Sequence, residues 1–151
     1  MNNEFKVLID GDGCPVIKET IAICKEKGIE VIVFMDTSHI FNDSYAKVIT
    51  VDKGNDSVDF ALVNKAKDND IVVTQDYGLA SMALAKKARA ISQNGLIYDS
   101  SNIDGLLARR HFAQMARRKK KNHRYKGPKK RKNSDNINFV EQFKGVLNNE
   151  T

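Results

Sequence analysis

The sequence predicts an α/β protein: a three-layer sandwich with a mostly parallel central sheet, followed by a basic C-terminal helix and loop and a short terminal helix. Three observations carry that expectation. Short apolar runs of strand length alternate with segments of helical period through the first hundred residues. Such alternation builds right-handed βαβ units, which place helices on both faces of a parallel sheet. The strand runs are apolar at consecutive positions, as in strands covered on both faces. The chain has 151 residues, 41% hydrophobic and 29% charged, an ordinary composition for one domain able to bury its own core.

Each element has its own signal. Phe5 to Ile9 is apolar and stops at Asp10-Gly-Asp-Gly, so it reads as a buried strand ending in a loop. Pro15 suits the first turn of a helix, where its missing N–H is not needed. Ile17, Ile21 and Cys24 share one face of that helix, and Gly28 stops it after Lys25 and Lys27. Glu30 to Met35 is the second strand, Asp36 to Asp43 a polar loop, and Lys47 to Val51 the third strand. A helix opens near Gly54-Asn55, with Asn55 or Asp56 as its cap and Val58, Leu62 and Ala66 facing the core.

Asp70 to Thr74 is the fourth strand, ending at Gln75-Asp76-Tyr77-Gly78, and Leu79 to Lys87 is a helix rich in Ala and Leu. Ala90-Ile91 and Leu96 to Tyr98 are two further short strands. Ile103, Leu106, Leu107 and Phe112 begin a helix that runs into the basic stretch, and Met82, Met115 and aromatic residues such as Phe112 read as core or filler. Phe139, Val140, Phe143 and Val146 have helical spacing and dock a last helix on the body. The expected organisation is an α/β domain over 1–118, a basic flexible segment over 119–134 and a helix over 135–151 packing on the same domain. No internal repeat is visible.

The charge is segregated. Residues 1–108 hold 11 Lys and Arg against 16 Asp and Glu, residues 109–132 hold 13 against none, and residues 133–151 hold 1 against 3. An acidic body with one basic segment is the electrostatic footprint of a polyanion partner such as nucleic acid. Arg110, Arg117 and Arg118 lie close on one helix, and Lys121 and Arg124 follow. With Tyr125 as its one aromatic residue, the run is suited to phosphates rather than to base reading. The bland alternative is a solvated tail.

No stretch approaches the roughly 20 apolar residues that span a bilayer. The polar Met1 to Glu4 segment signals no secretion. Cys14 and Cys24 are expected as reduced thiols in a cytoplasmic protein. Cys14 sits before a helix start, which favours a thiolate, but neighbouring aspartates disfavour one. His39, His111 and His123 lack metal spacing and read as surface residues.

The chemistry lies in the aspartates. Ligands of open parallel sheets bind beyond the carboxyl ends of the strands. Asp10 and Asp12 follow the first strand, Asp56 and Asp59 stand in the first turn of a helix, Asp76 follows the fourth strand and Asp99 follows Leu96 to Tyr98. Several like charges in one place call for a hard divalent cation with oxygen ligands. Mg2+ or Mn2+ there activates water and stabilises a phosphoryl transition state. Some of these acids serve only as caps, Asp56 first among them. Thr74 and Gln75 flank the acid of strand four and are candidates to orient it or to touch a phosphate. Tyr77 is placed to stack on a base or to pack.

Asp10-Gly-Asp-Gly-Cys-Pro15 resembles the Asp-x-Asp-x-Cys-Pro signature of the YaiI/YqxD family of bacterial proteins. Gly54-Asn55-Asp56-x-x-Asp59, Val72 to Ala80, Asn102-Ile103-Asp104 and Gly127-Pro128 recur in that family's order, so the resemblance covers nearly the whole chain. The family looks like a branch of the PIN-like superfamily, mostly Mg2+- or Mn2+-dependent ribonucleases. The resemblance implies a PIN-like sheet, phosphodiester hydrolysis of RNA, and catalytic metal-binding positions at Asp10, Asp59 and Asp76. Two other readings stand beside it. One is a non-catalytic RNA- or ribosome-binding protein on the same scaffold. The other is a phosphatase similar to haloacid dehalogenases, with Asp10 and Asp12 as nucleophile and acid/base.

Overall fold

The computed structural model describes residues 4–54, 57–119 and 130–148, the side chains of 117–119 excepted. In chain order the elements are β1 (Val7–Asp10), α1 (Ile17–Lys27), β2 (Val31–Asp36), β3 (Lys47–Val51), α2 (Ser57–Lys65), β4 (Ile71–Val73), α3 (Tyr77–Ala85), β5 (Arg89–Ile91), β6 (Ile97–Tyr98), α4 (Ile103–Lys119) and α5 (Asn133–Asn148). The strands form one sheet in the order β3-β2-β1-β4-β5-β6. All neighbours are parallel except β5 and β6, which pair antiparallel. This is the expected α/β class, with a mostly parallel central sheet between helical layers.

The two-residue period of the strands sorts the core. Val7, Ile9, Ile71 and Val73 face one side, where Ile21 and Cys24 of α1 and Phe139 and Phe143 of α5 pack on them. Leu8, Val72 and Ala90 face the other side, against Leu62 of α2, Leu79 and Ala83 of α3 and Ile103 of α4. Apolar runs without alternation are thus the mark of strands covered twice. The Phe139 and Phe143 rings are stacked at 5.3 Å, so the terminal helix docks through the residues its spacing predicts.

The sheet reverses its winding at β1. The chain moves outward through β2 and β3, then returns to place β4 on the opposite side of β1. The carboxyl ends of β1 and β4 therefore flank the switch point, where an open α/β sheet leaves a crevice. In register Ile9 lies beside Val73, so Asp10 and Thr74 follow as neighbours at that edge.

Some boundaries differ from expectation for local reasons. α1 begins at Ile17, two residues after Pro15, with Gly28 in the left-handed region (φ 69°) closing it. α3 begins at Tyr77 rather than Leu79, because Asp76 caps it and carries the helix through Gly78. The core reading of Phe112 and Met115 is corrected: they are 67% and 41% exposed. α4 packs on the body through Ile103, Leu106 and Leu107, and every residue from 108 to 116 is exposed. α4 reaches Lys119 and α5 begins at Asn133. Asn55, Asp56, Lys121, Arg124, and the Gly127-Pro128 pair lie outside the described residues.

Candidate functional site

A cleft of about 350 Å3 opens at the switch point, lined by Asp10, Asp12, Gln75, Asp76, Tyr77, Gln93 and Arg110, with Gly13 at its edge. Asp10 is the last residue of β1. Its Oδ2 accepts a hydrogen bond from the Thr74 hydroxyl at 2.7 Å. The same hydroxyl oxygen accepts from the Asp76 backbone N–H at 3.0 Å. Thr74 is wholly buried, its N–H donates to the Ile91 carbonyl and its carbonyl accepts from the Tyr98 hydroxyl at 3.1 Å. One anchored hydroxyl thus sets two acids. Of the two roles the sequence leaves open for Thr74, its buried hydroxyl takes that of orienting acids, bonding Asp10 and the Asp76 N–H.

Asp76 is the N-cap of α3, its Oδ1 accepting from the N–H groups of Gly78 at 2.8 Å and Leu79 at 3.2 Å. The helix N-terminus favours its negative charge. Arg110 stands 3.5 Å from the same oxygen. Among the described residues no hydrogen bond reaches Asp76 Oδ2, which keeps a carboxylate oxygen for a ligand. Burial pushes the Asp10 carboxyl above its ordinary value; the Thr74 hydrogen bond opposes this, and the charges of Asp76 and Asp12 add to it. Asp10 thus feels the charges of Asp76 and Asp12 across the cleft that all three line. Carboxylate oxygens are the donors that a hard divalent cation takes.

Asp12 reaches the far side of the cleft. Its carboxylate oxygens accept long bonds from the Asp36 N–H, at 3.3 and 3.4 Å. His39 Nδ1 lies 3.0 Å from Asp12 Oδ1 and 3.4 Å from Asp36 Oδ1, ion pairs when the imidazole is protonated. Asp12, Asp36 and His39 present donor atoms within 4.8 Å of one another. Asp36 lies one residue beyond the expected end of the second strand, and His39, expected as a surface residue, faces two acids. The rule that found Asp10, an acid closing a strand, finds Asp36 once β2 is extended by one residue.

The remaining predicted residues fall into three groups. Gln75 and Arg110 line the cleft, and Tyr77 lines it while packing edge-on against Tyr98, centroids 6.0 Å apart. Asp59 stands half-buried in the first turn of α2 and is not among the cleft residues. Asp99 is exposed and its Oδ1 accepts from the Ser101 hydroxyl at 2.5 Å and from the N–H groups of Ser101 and Asn102 at 2.8 and 3.0 Å. Those bonds, the Ser101 hydroxyl foremost, hold its carboxyl below the usual range, and they make it a turn residue before α4 rather than part of the cleft. Asp56, Lys121 and Arg124 lie outside the described residues, as do the side chains of Arg117 and Arg118. Burial pushes the Cys14 thiol up to about 11, so it rests as a thiol at neutral pH.

Fold and site together define an open, mostly parallel α/β protein with an aspartate-lined cleft at its switch point. Over residues 8–149 the chain matches the family described as Uncharacterized BCR, YaiI/YqxD family, and it belongs to that family. A UPF0178 protein of Exiguobacterium sibiricum is 48% identical over 147 residues, 97% of this chain and 99% of that protein. One of Lachnoclostridium phytofermentans is 47% identical over 144 residues, 95% and 97% of the two chains. One of Ruminiclostridium cellulolyticum is 53% identical over 114 residues, 76% and 74% of the two chains. No solved structure matches the chain significantly. Among the described residues, no helix is long and apolar enough to cross a membrane.

Proposed function

We propose that this protein is a divalent-metal-dependent nuclease that hydrolyses phosphodiester bonds in RNA. The observation that carries the reading is the convergence of Asp10, Asp12 and Asp76 on one cleft faced by Arg110. The resemblance to PIN-like ribonucleases supports the reaction class and the polymer. Asp10 and Asp76 are the residues to hold Mg2+ or Mn2+, with Asp12 as a third oxygen donor. Such an ion, when bound, polarises a phosphoryl oxygen and activates the attacking water.

The chain's own groups do the rest. Thr74 fixes the Asp10 carboxylate, so that no rotation is needed when substrate arrives. The N-terminus of α3 fixes the Asp76 carboxylate through the N–H groups of Gly78 and Leu79. Arg110 supplies a guanidinium that engages phosphoryl oxygens as negative charge builds. The basic residues of 109–132 attract the polymer to a body whose charge alone would repel it.

The test is cleavage of labelled single-stranded and structured RNA with Mn2+, Mg2+ or EDTA, comparing wild type with Asp10→Asn. Metal-dependent cutting is expected, reduced at least about 100-fold in the variant. Binding without cutting in both proteins makes this a non-catalytic RNA-binding protein. A phosphate trapped on Asp10 makes it a phosphatase.

A further inference from the structure

We propose that Arg131 is a positioning residue of the cleft: it holds the turn at residues 92–95 so that Gln75 offers its amide N–H groups to a phosphoryl oxygen. The identity of that oxygen rests on the nuclease reading; the hydrogen-bond chain stands apart from it. Arg131 belongs to the basic run by sequence, yet it is half-buried. Its guanidinium donates in three directions. Nε donates to Asn136 Oδ1 at 2.8 Å, Nη2 to the Gln93 carbonyl at 2.7 Å, and Nη1 to Asn94 Oδ1. Asn138 of α5 adds a bond from Nδ2 to the Asn94 carbonyl at 2.7 Å.

The turn is pressed onto α5. Gly95 has φ 94°, and a Cβ there would stand 2.8 Å from Asn138 Nδ2 and 2.9 Å from its carbonyl oxygen. On its other side the turn makes the cleft wall. Gln93 is 7% exposed, and its backbone N–H donates to Gln75 Oε1 at 3.0 Å. A backbone N–H can only donate, so the atom of Gln75 that meets it must be the oxygen. The amide nitrogen is then the polar group Gln75 has left for a cleft ligand. A neutral donor suits this place. A lysine among three carboxylates would compete with the cation they hold, whereas an amide binds a phosphoryl oxygen without neutralising them.

The three-way contact demands a guanidinium. Lysine keeps the charge but lacks the planar fork. The experiment uses full-length wild type and Arg131→Lys. Hydrogen exchange at the Gln93 N–H and the Gln75 side-chain amide signals are followed by NMR. Titration with Mg2+ and a phosphorothioate RNA oligonucleotide gives the ligand readout. In Arg131→Lys, Gln93 exchange is expected to be at least tenfold faster and the Gln75 signals to move, while the β1 and β4 amides stay protected. In wild type the Gln75 amide should shift on titration, and the variant should bind at least tenfold more weakly with an unchanged salt slope. Wild-type exchange and signals in Arg131→Lys overturn the proposal, as does a wild-type Gln75 amide that ignores the oligonucleotide. These signals report whether or not the protein cuts RNA, so a failure of the nuclease reading shows separately, as absent cleavage by wild type.

Discussion

Asp10 is a residue whose charge costs the folded protein something. Burial raises its carboxyl pKa, and the charges of Asp76 and Asp12 add to the effect. For a raised acid the folded state binds the proton more tightly than the unfolded chain does. Folding is therefore favoured below the unfolded carboxyl value, about 3.9, and loses that contribution as pH rises through the higher folded value. The ionised carboxylate therefore carries a cost above that value. Asp10→Asn removes it and keeps an oxygen for the Thr74 hydroxyl. In EDTA at pH 7 the variant should melt above wild type, by about 2–4 °C for each kcal/mol gained in a chain of this size. The gap should shrink as pH falls toward 4. Mg2+ should raise the wild-type Tm and leave the variant nearly unmoved, since binding to the native state stabilises it. Scanning calorimetry across pH, with and without Mg2+, decides it. A variant less stable than wild type at pH 7 in EDTA would show that Asp10 is structural and not strained by its neighbours.

At the scale of elements, α5 is the test of what holds the cleft wall. Phe143 is fully buried and stacked on Phe139. Phe143→Ala should cost roughly 3–5 kcal/mol, read from urea unfolding. Because Asn138 on the same helix holds the turn beside Gln93, the loss should also speed exchange at the Gln93 N–H. A loss under about 1 kcal/mol would mean that α5 is an appendage. This helix was readable in advance from Phe139, Phe143 and Val146, since a helix that buries one face repeats its apolar residues. The strands were readable because coverage on both faces makes their runs continuous. The helical reading of Phe112 held and its core reading did not, since helical period does not tell where a helix leaves the body. At the site, Asp10, Asp12 and Asp76 stood out as acids at strand ends and in their loops. Arg131 and Gln93 did not. A basic run reads as solvated, and nothing local marks the one arginine that folds back onto a turn almost forty residues earlier. Nor could spacing separate Asp99, a turn residue, from Asp76, which caps a helix and lines the cleft at once.

The whole molecule faces a conflict of charge. Residues 1–108, which carry the cleft lining apart from Arg110, hold more acids than bases, so on the nuclease reading a polyanionic substrate would approach them against repulsion. Residues 109–132 reverse this with 13 Lys and Arg and no acid. Arg110 stands at one end of that run and Arg131 at the other, and both contact cleft residues: Arg110 lies by Asp76 and Arg131 bonds Gln93. Two described arginines of the basic run, Arg110 and Arg131, thus each touch a residue of the cleft. On the nuclease reading, attraction of the polymer and its delivery to the acids would be one process. RNA affinity measured in Mg2+ should fall with salt at a log–log slope of several units, about 0.7 for each single-strand phosphate neutralised. Replacing Lys121, Arg124 and Lys126 together by glutamine should lower the slope by about 2. Turnover at saturating RNA should stay near wild type if the three serve attraction alone. If the slope is flat in wild type, the segment does not meet the polymer. If instead the triple variant keeps its affinity but loses turnover, the segment acts at the cleft itself, and attraction and catalysis cannot be divided between the two parts of the chain.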